Sequence, residues 1–185
     1  MMELKQFIKG LAAKLQAAGI NYCITGGYAV SVWGTPRSTL DINLITGLKP
    51  AQIPLLIKTI APEKGAYLDE EAIAEAVAAG GEFNYIPAES GLKVDFWVIN
   101  NSNKTGLKEL KRKKKEVFEG QEIFFISPED LILSKLRWAR MSSSSRHAED
   151  IRSVIGVSGK TLDLEYLKRE AALQELSADL AIFFP

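Results

Sequence analysis

The chain has 185 residues, 46% of them hydrophobic and 25% charged, and its 23 basic side chains are balanced by 23 acidic ones. That composition supports a packed core of one domain, or a core with a small appendage, and excludes wholesale disorder. Zero formal net charge excludes a globally basic coat for nucleic acid, though not a local basic patch.

The first element spans Glu3 to Ala18, where Leu4, Phe7, Ile8, Leu11 and Leu15 recur at helical spacing and Gly19 ends the helix. Tyr22 to Thr25 reads as a short buried strand containing Cys23, the single cysteine. One cysteine excludes an internal disulfide or a multi-cysteine zinc site, and in this apolar run it reads as a small hydrophobe. Gly26-Gly27 makes a turn into a short helix, Tyr28 to Trp33, before Gly34-Thr35-Pro36. Leu40 to Ile45 alternates as a strand should. Pro50 opens an apolar helix to about Ile60, and a second helix covers Glu70 to Ala79 before Gly80-Gly81. Phe83 to Ile86 and Leu92 to Ile99 read as strands joined by a turn through Pro87 and Gly91. Asn100 to Gly106 is loop-like, and Glu116 to Phe118 with Gln121 to Ile126 forms a hairpin.

Beyond Ser127 the chain turns helical. Ser127-Pro128-Glu129-Asp130 combines a capping serine, a first-turn proline and acids at the positive end of the dipole. The serine run 142–145 breaks that helix, Arg146 to Ile155 forms another, and Leu162 to Leu176 a third, with a short apolar tail at Leu180 to Phe184. The expected fold is α+β: a mixed β-sheet core flanked by helices over residues 1–126, with a helical C-terminal part over 127–185 packed on it. No apolar run reaches the roughly 18 residues that span a bilayer. The start, Met1 to Lys5, has no signal-peptide stretch. A cytoplasmic protein is expected.

Three features carry chemistry. A strand–Gly-Gly–helix unit lets backbone N–H groups approach an anion at a helix N-terminus, although many such turns are only tight turns. Gly26-Gly27-Tyr28-Ala29 lacks the spaced third glycine of a dinucleotide fingerprint. Asp41 and Asn43 lie two apart on a strand and so share a face, where two oxygen donors can hold a hard cation such as magnesium; a polar outer face of an edge strand is the plainer alternative. Asp95 sits in a strand apolar enough to be central, where a lone carboxylate is costly unless paired, hydrogen-bonded or metal-bound. If the strands of Asp41 and Asp95 are neighbours, the donor set suits metal-assisted phosphoryl or nucleotidyl transfer.

Gly26-Gly27, the Gly34 to Thr39 turn, Asp41-Ile42-Asn43 and Asp95 together resemble the signature of nucleotidyltransferases of the polymerase-beta-like fold. The nearest likeness is to AbiEii-like toxins and related bacterial nucleotidyltransferases, through Ser127 to Leu131, Lys135, Arg146 and Asp150. The resemblance implies that Gly26 and Gly27 contact a triphosphate and that Asp41 and Asp95 bind Mg2+ or Mn2+. It also implies that Lys135 and Arg37 touch the nucleotide, and that Asp150 supports the site. Asn43 stands where the family has a second acid; its carbonyl can still ligate, without charge. The implied reaction is NMP transfer from an NTP to a hydroxyl of RNA (tRNA among the candidates), a protein or a small molecule. The alternative is a catalytically degenerate fold serving as a nucleotide-binding or protein-binding module, such as half of a toxin–antitoxin pair with its cognate protein; a generic phosphate-binding domain would leave Asp95 without a reason.

Two residues have physical readings of their own. Lys135 falls inside the apolar stripe of Leu131, Ile132 and Leu136, so it either snorkels out or reaches a buried anion. Asp150 is four residues after Arg146, and a plain helical ion pair would explain it. The basic run Lys111 to Lys115 reads as a solvated face, or as a docking strip if the acceptor is RNA. His147 has no partners for a histidine-based metal site and reads as structural. Trp33, Trp97 and Trp138 read as core or site-wall residues.

Overall fold

The structure is a computed structural model and describes residues 4–60, 64–88, 91–142 and 144–184. Glu3 and Ser143, which the expected first helix and serine break include, lie outside the described residues. The chain divides into two compact units: one of residues 1–26 and 39–126, the other of residues 27–38 and 127–185.

The first unit holds a seven-stranded mixed sheet with the order β3-β4-β5-β2-β1-β7-β6. Its strands are β1 Tyr22–Thr25, β2 Asp41–Thr46, β3 Tyr67–Leu68, β4 Gly81–Ile86, β5 Lys93–Val98, β6 Lys114–Phe118 and β7 Gln121–Phe125. β2 runs parallel to β5 and β1 parallel to β7, while the remaining pairs are antiparallel. One face is apolar through Ile24, Leu44, Phe96 and Phe83, which are cross-strand neighbours at most 2% exposed. The Phe83 and Phe96 rings stack 4.7 Å apart. Helices α1 (Leu4–Ala17) and α3 (Ile53–Ile60) lie on this side, because Phe7, Leu11 and Ile60 line a small cavity together with Tyr85, whose register partner Val94 shares that face. α4 (Glu70–Ala79) packs against β4 and β5 and is capped by Asp69, which accepts from the backbone N–H groups of Glu71 and Ala72.

Three expectations are corrected here, and one strand, β3, had no counterpart among them. β2 begins at Asp41, which leaves Leu40 outside the ladder and 68% exposed. The loop expected up to Gly106 already contains the start of α5 (Lys104–Arg112), whose cap is Asn103 accepting from Gly106 N–H. Two-residue β3 carries no period to detect. The basic run is not one solvated face: Lys111 and Arg112 end α5, Lys113 is half-buried with its ammonium 4.1 Å from the Phe124 ring centroid, and Lys114 begins β6.

The second unit contains most of α2 (Gly26–Trp33), then α6 (Pro128–Met141), α7 (Arg146–Ser158), α8 (Leu164–Leu173) and α9 (Ser177–Ala181). Ser127 caps α6: its hydroxyl accepts from Asp130 N–H and donates to Asp130 Oδ2. Tyr166 of α8 donates to the other oxygen of Asp130 at 2.6 Å, so that buried acid is matched on both sides. α6 packs against α7 and α8, and its Leu131, Ile132 and Leu136 are each at most 1% exposed. Trp138, expected in a core or site wall, is 42% exposed; it stands two turns after Leu131, at the border of that stripe near the end of α6. Among the described residues no helix is long and apolar enough to cross a membrane.

Candidate functional site

Strand register decides which side chains meet. On β2 and β5, Asp41 stands opposite Lys93 and Asn43 opposite Asp95. β1 places Thr25 opposite Asn43, and β4 places Asn84 opposite Asp95. Cross-strand partners share a face, and residues two apart along a strand share it too. Asp41, Asn43, Asp95, Lys93, Asn84 and Glu82 therefore all project from the face opposite the Phe83–Phe96 core. β2 is internal, between β1 and β5, so a polar edge strand does not explain Asp41 and Asn43. Asp95 is buried at 7% exposure, Asn43 half-buried and Asp41 exposed.

Asp95 is partnered. Lys93 Nζ lies 3.0 Å from its Oδ1, and the Asn84 amide, turned to donate, meets the same oxygen and Glu82 Oε1. The hydrogen bond to Asp95 holds the Lys93 ammonium above its usual range, with Asp41 and Glu82 adding to the effect and desolvation opposing it. Glu82 is pushed up, first by desolvation and then by the charge of Asp95, while Lys93 pulls it down.

Gly26 sits beside this face. Its φ of +67° belongs to the left-handed region, and a Cβ there would come within 2.7 Å of Asn43 Nδ2. Both facts require glycine. Gly27, in the second unit, is equally tight: a Cβ would meet the Arg37 guanidinium at 2.8 Å.

Hard oxygen donors on one face are the ligand type that magnesium and manganese prefer. Magnesium commonly takes one or two carboxylates and completes its shell with phosphate oxygens and water. Asp41 and Asp95, with the Asn43 carbonyl beside them, fit one such ion. They do not make a dense acidic cage: among the described residues no group of three or more His, Cys, Asp or Glu is poised to hold a metal.

The second unit builds a different cluster. Lys135 Nζ lies 2.7 Å from Asp150 Oδ2, and Arg37 forks onto the same carboxylate with Nε to Oδ1 at 2.9 Å and Nη2 to Oδ2 at 3.2 Å. The buried anion that Lys135 meets is thus Asp150, and Asp150 pairs with Arg37 and Lys135 in place of Arg146. Two cations share one carboxylate, which leaves one positive charge over and suits an anion. Burial lowers the Lys135 ammonium despite the pull of Asp150. Burial alone would raise Asp150, but hydrogen bonds from Arg37 and Lys135 outweigh it and hold the carboxyl low. His147 belongs to this neighbourhood: burial and Lys135 lower its imidazole, Asp150 opposes, and Arg37 and Arg146 add to the lowering. Its Nδ1 is buried without a hydrogen-bond partner.

Lys93, Asn84 and Glu82 escaped sequence reasoning. The signal was present as polar residues two apart, Lys93 with Asp95 and Glu82 with Asn84, but nothing local says that β4 and β5 are neighbours. The Arg37–Asp150 pair spans 113 residues and has no local signal.

No family model and no curated protein sequence matches the chain. Solved structures do. An antigenic nucleotidyltransferase-like protein from Paracoccidioides brasiliensis aligns at 19% identity and a TM-score of 0.58, over 98% of this chain and 91% of its own. ANT(2'')-Ia in complex with adenylyl-2''-tobramycin aligns at 16% identity and a TM-score of 0.59, over the full length of both chains. The lincosamide antibiotic adenylyltransferase LnuA, lincomycin-bound, gives 14% and 0.51, over 85% of this chain and 98% of its own. The chain has the nucleotidyltransferase fold, an α+β arrangement of a mixed sheet with flanking helices.

Proposed function

We propose that the protein transfers a nucleoside monophosphate from an NTP to an acceptor hydroxyl. The observation that carries this reading is the β2–β5 register, which sets Asp41, Asn43 and Asp95 on one face of a nucleotidyltransferase-fold sheet beside Gly26. Asp41 and Asp95 would hold one divalent ion, Mg2+ or Mn2+, with the Asn43 carbonyl as a neutral third donor. The ion would supply charge neutralisation and polarisation of the phosphate. Gly26, Gly27, Arg37 and Lys135 are assigned to the nucleotide's phosphates, and Asp150 to fixing Arg37 and Lys135. The acceptor hydroxyl oxygen would attack the α-phosphorus in line, giving up its proton to water, as the bond to pyrophosphate breaks and pyrophosphate leaves. The two acids would act by holding that ion, and positioning with electrostatics would do most of the work.

A small-molecule hydroxyl is the favoured acceptor, since two structural neighbours hold adenylyl-2''-tobramycin and lincomycin. tRNA and protein hydroxyls are the other acceptors to test. Transfer of label from α-labelled NTP to a panel of hydroxyl acceptors, in Mg2+ or Mn2+, should fall by a factor of about a hundred or more in Asp41→Ala, by analogy with the loss of one electrostatic contact to a transition state. Undiminished transfer in that variant would remove this face from the chemistry.

Asn43 favours a second reading: a nucleotide-binding module without turnover. The likeness to AbiEii-like toxins supports placing such a module in a toxin–antitoxin pair. It expects NTP binding by calorimetry with no product under any metal.

A further inference from the structure

Lys93 and Asp95 are two apart on β5 and leave the same face, and Lys93 is in register with Asp41. The ammonium, 3.0 Å from Asp95 Oδ1, therefore occupies the electrostatic position assigned above to a divalent ion. The two partners differ in freedom. The Asp95 side chain is 10% exposed and fixed in a central strand, whereas that of Lys93 is 43% exposed on a flexible stem. Lys93 and Asn84 both meet Oδ1, and Oδ2 takes part in neither contact. A carboxylate buried to this degree needs a positive partner, and Lys93 provides one that can swing away.

We propose that Lys93 is an exchangeable resident counter-cation of the acid face, paired with Asp95 and offsetting part of the face's negative charge while no divalent ion is bound, and leaving Asp95 when one arrives. This rests on the reading of Asp41 and Asp95 as cation ligands. It means that Lys93 competes with the ion and holds its affinity down until phosphate arrives. The released ammonium is then available to a phosphate oxygen, a donor role for which lysine is well suited.

The test is Mn2+ binding to the nucleotide-free full chain, measured by electron paramagnetic resonance and calorimetry. Lys93→Gln removes the charge at a partly exposed position and should tighten Mn2+ binding by about tenfold, the order expected for one unit charge beside the ion's ligand after solvent screening. Lys93→Arg should stay close to the parent. The gain should vanish in the double variant Lys93→Gln, Asp95→Asn, which places the measured ion on this face; circular dichroism checks that each variant is folded. Equal affinity in parent and Lys93→Gln overturns the proposal, as does a gain that survives Asp95→Asn, or no Mn2+ binding in either protein. Ion affinity is read without turnover, so the two ideas can fail separately. A Lys93→Gln gain in a protein that transfers nothing sinks only the enzymatic reading. Turnover with an ion affinity blind to Lys93 sinks only this one.

Discussion

At position 43 the acid face carries an amide opposite Asp95, directly across the β2–β5 ladder. A carboxylate there would attract a dication by an extra amount on the order of 8 kcal/mol before desolvation, taking about 4 kcal/mol per unit-charge pair at short range and doubling it for the ion. The same carboxylate would repel Asp95 when no ion is present, since like charges facing each other across a sheet destabilise it. Asn43→Asp should therefore lower the melting temperature in EDTA and recover it in Mn2+ more than the parent does. A variant whose melting is indifferent to Mn2+ would show that position 43 does not face the ion. Gly26 is the other sensitive residue. Gly26→Ala meets both the positive φ and the Asn43 amide, and it should cost about 1–2 kcal/mol in urea denaturation.

Among the elements, α6 and α7 carry the charge network whose centre is Asp150. Asp150→Asn would leave Arg37 and Lys135 facing a neutral amide, and breaking a buried pair in this way costs about 3–5 kcal/mol. The variant should lose that much in denaturant titration. The pH dependence has a definite sign. Asp150 titrates below its usual range in the folded protein, so its contribution is complete above the unfolded carboxylate value of about 3.9. It disappears as pH falls through the lower folded value. The parent should show an acid transition there that Asp150→Asn lacks.

These helices also show what a sequence discloses. The i, i+3, i+4 stripe of α6 located Lys135 among buried residues, because periodicity is local. The identity of its partner was not local: α7 offered Arg146 at the right spacing for Asp150, yet the carboxylate is taken by Arg37 from the far end of the chain and by Lys135. α5 was missed for the opposite reason. Its nine residues contain four lysines or arginines outside the first turn's threonine and glycine, a composition that mimics loop, and only the Asn103 cap marks its start. The strand pattern gave Asp41, Asn43 and Asp95 as candidates, while their common face followed from pairing that no single strand encodes.

For the molecule as a whole, the discontinuity of the second unit matters most. Residues 27–38 belong with 127–185. They are tied there by Arg37 to Asp150, by Thr35 N–H donating to Ser153 Oγ, and by the Ser158 hydroxyl donating to Trp33 O. A fragment ending at Ile126 would keep every strand of the sheet but strip residues 27–38 of these partners. Limited proteolysis should cut that fragment within 27–38 and spare the same segment in the full chain. Equal protection in both would mean that the segment is held by the sheet unit alone.

The same discontinuity sets a timetable for synthesis. The three ties close loops of 113, 118 and 125 residues, so the glycine-led helix that follows β1 cannot reach its helical partners until Asp150, Ser153 and Ser158 have left the ribosome. At about 5–20 residues per second, the emerging sheet waits several seconds beside an unanchored arginine. A transcript truncated before the codon for Lys135 therefore yields a β-sheet without the cationic cluster, and such a product is a target for quality control.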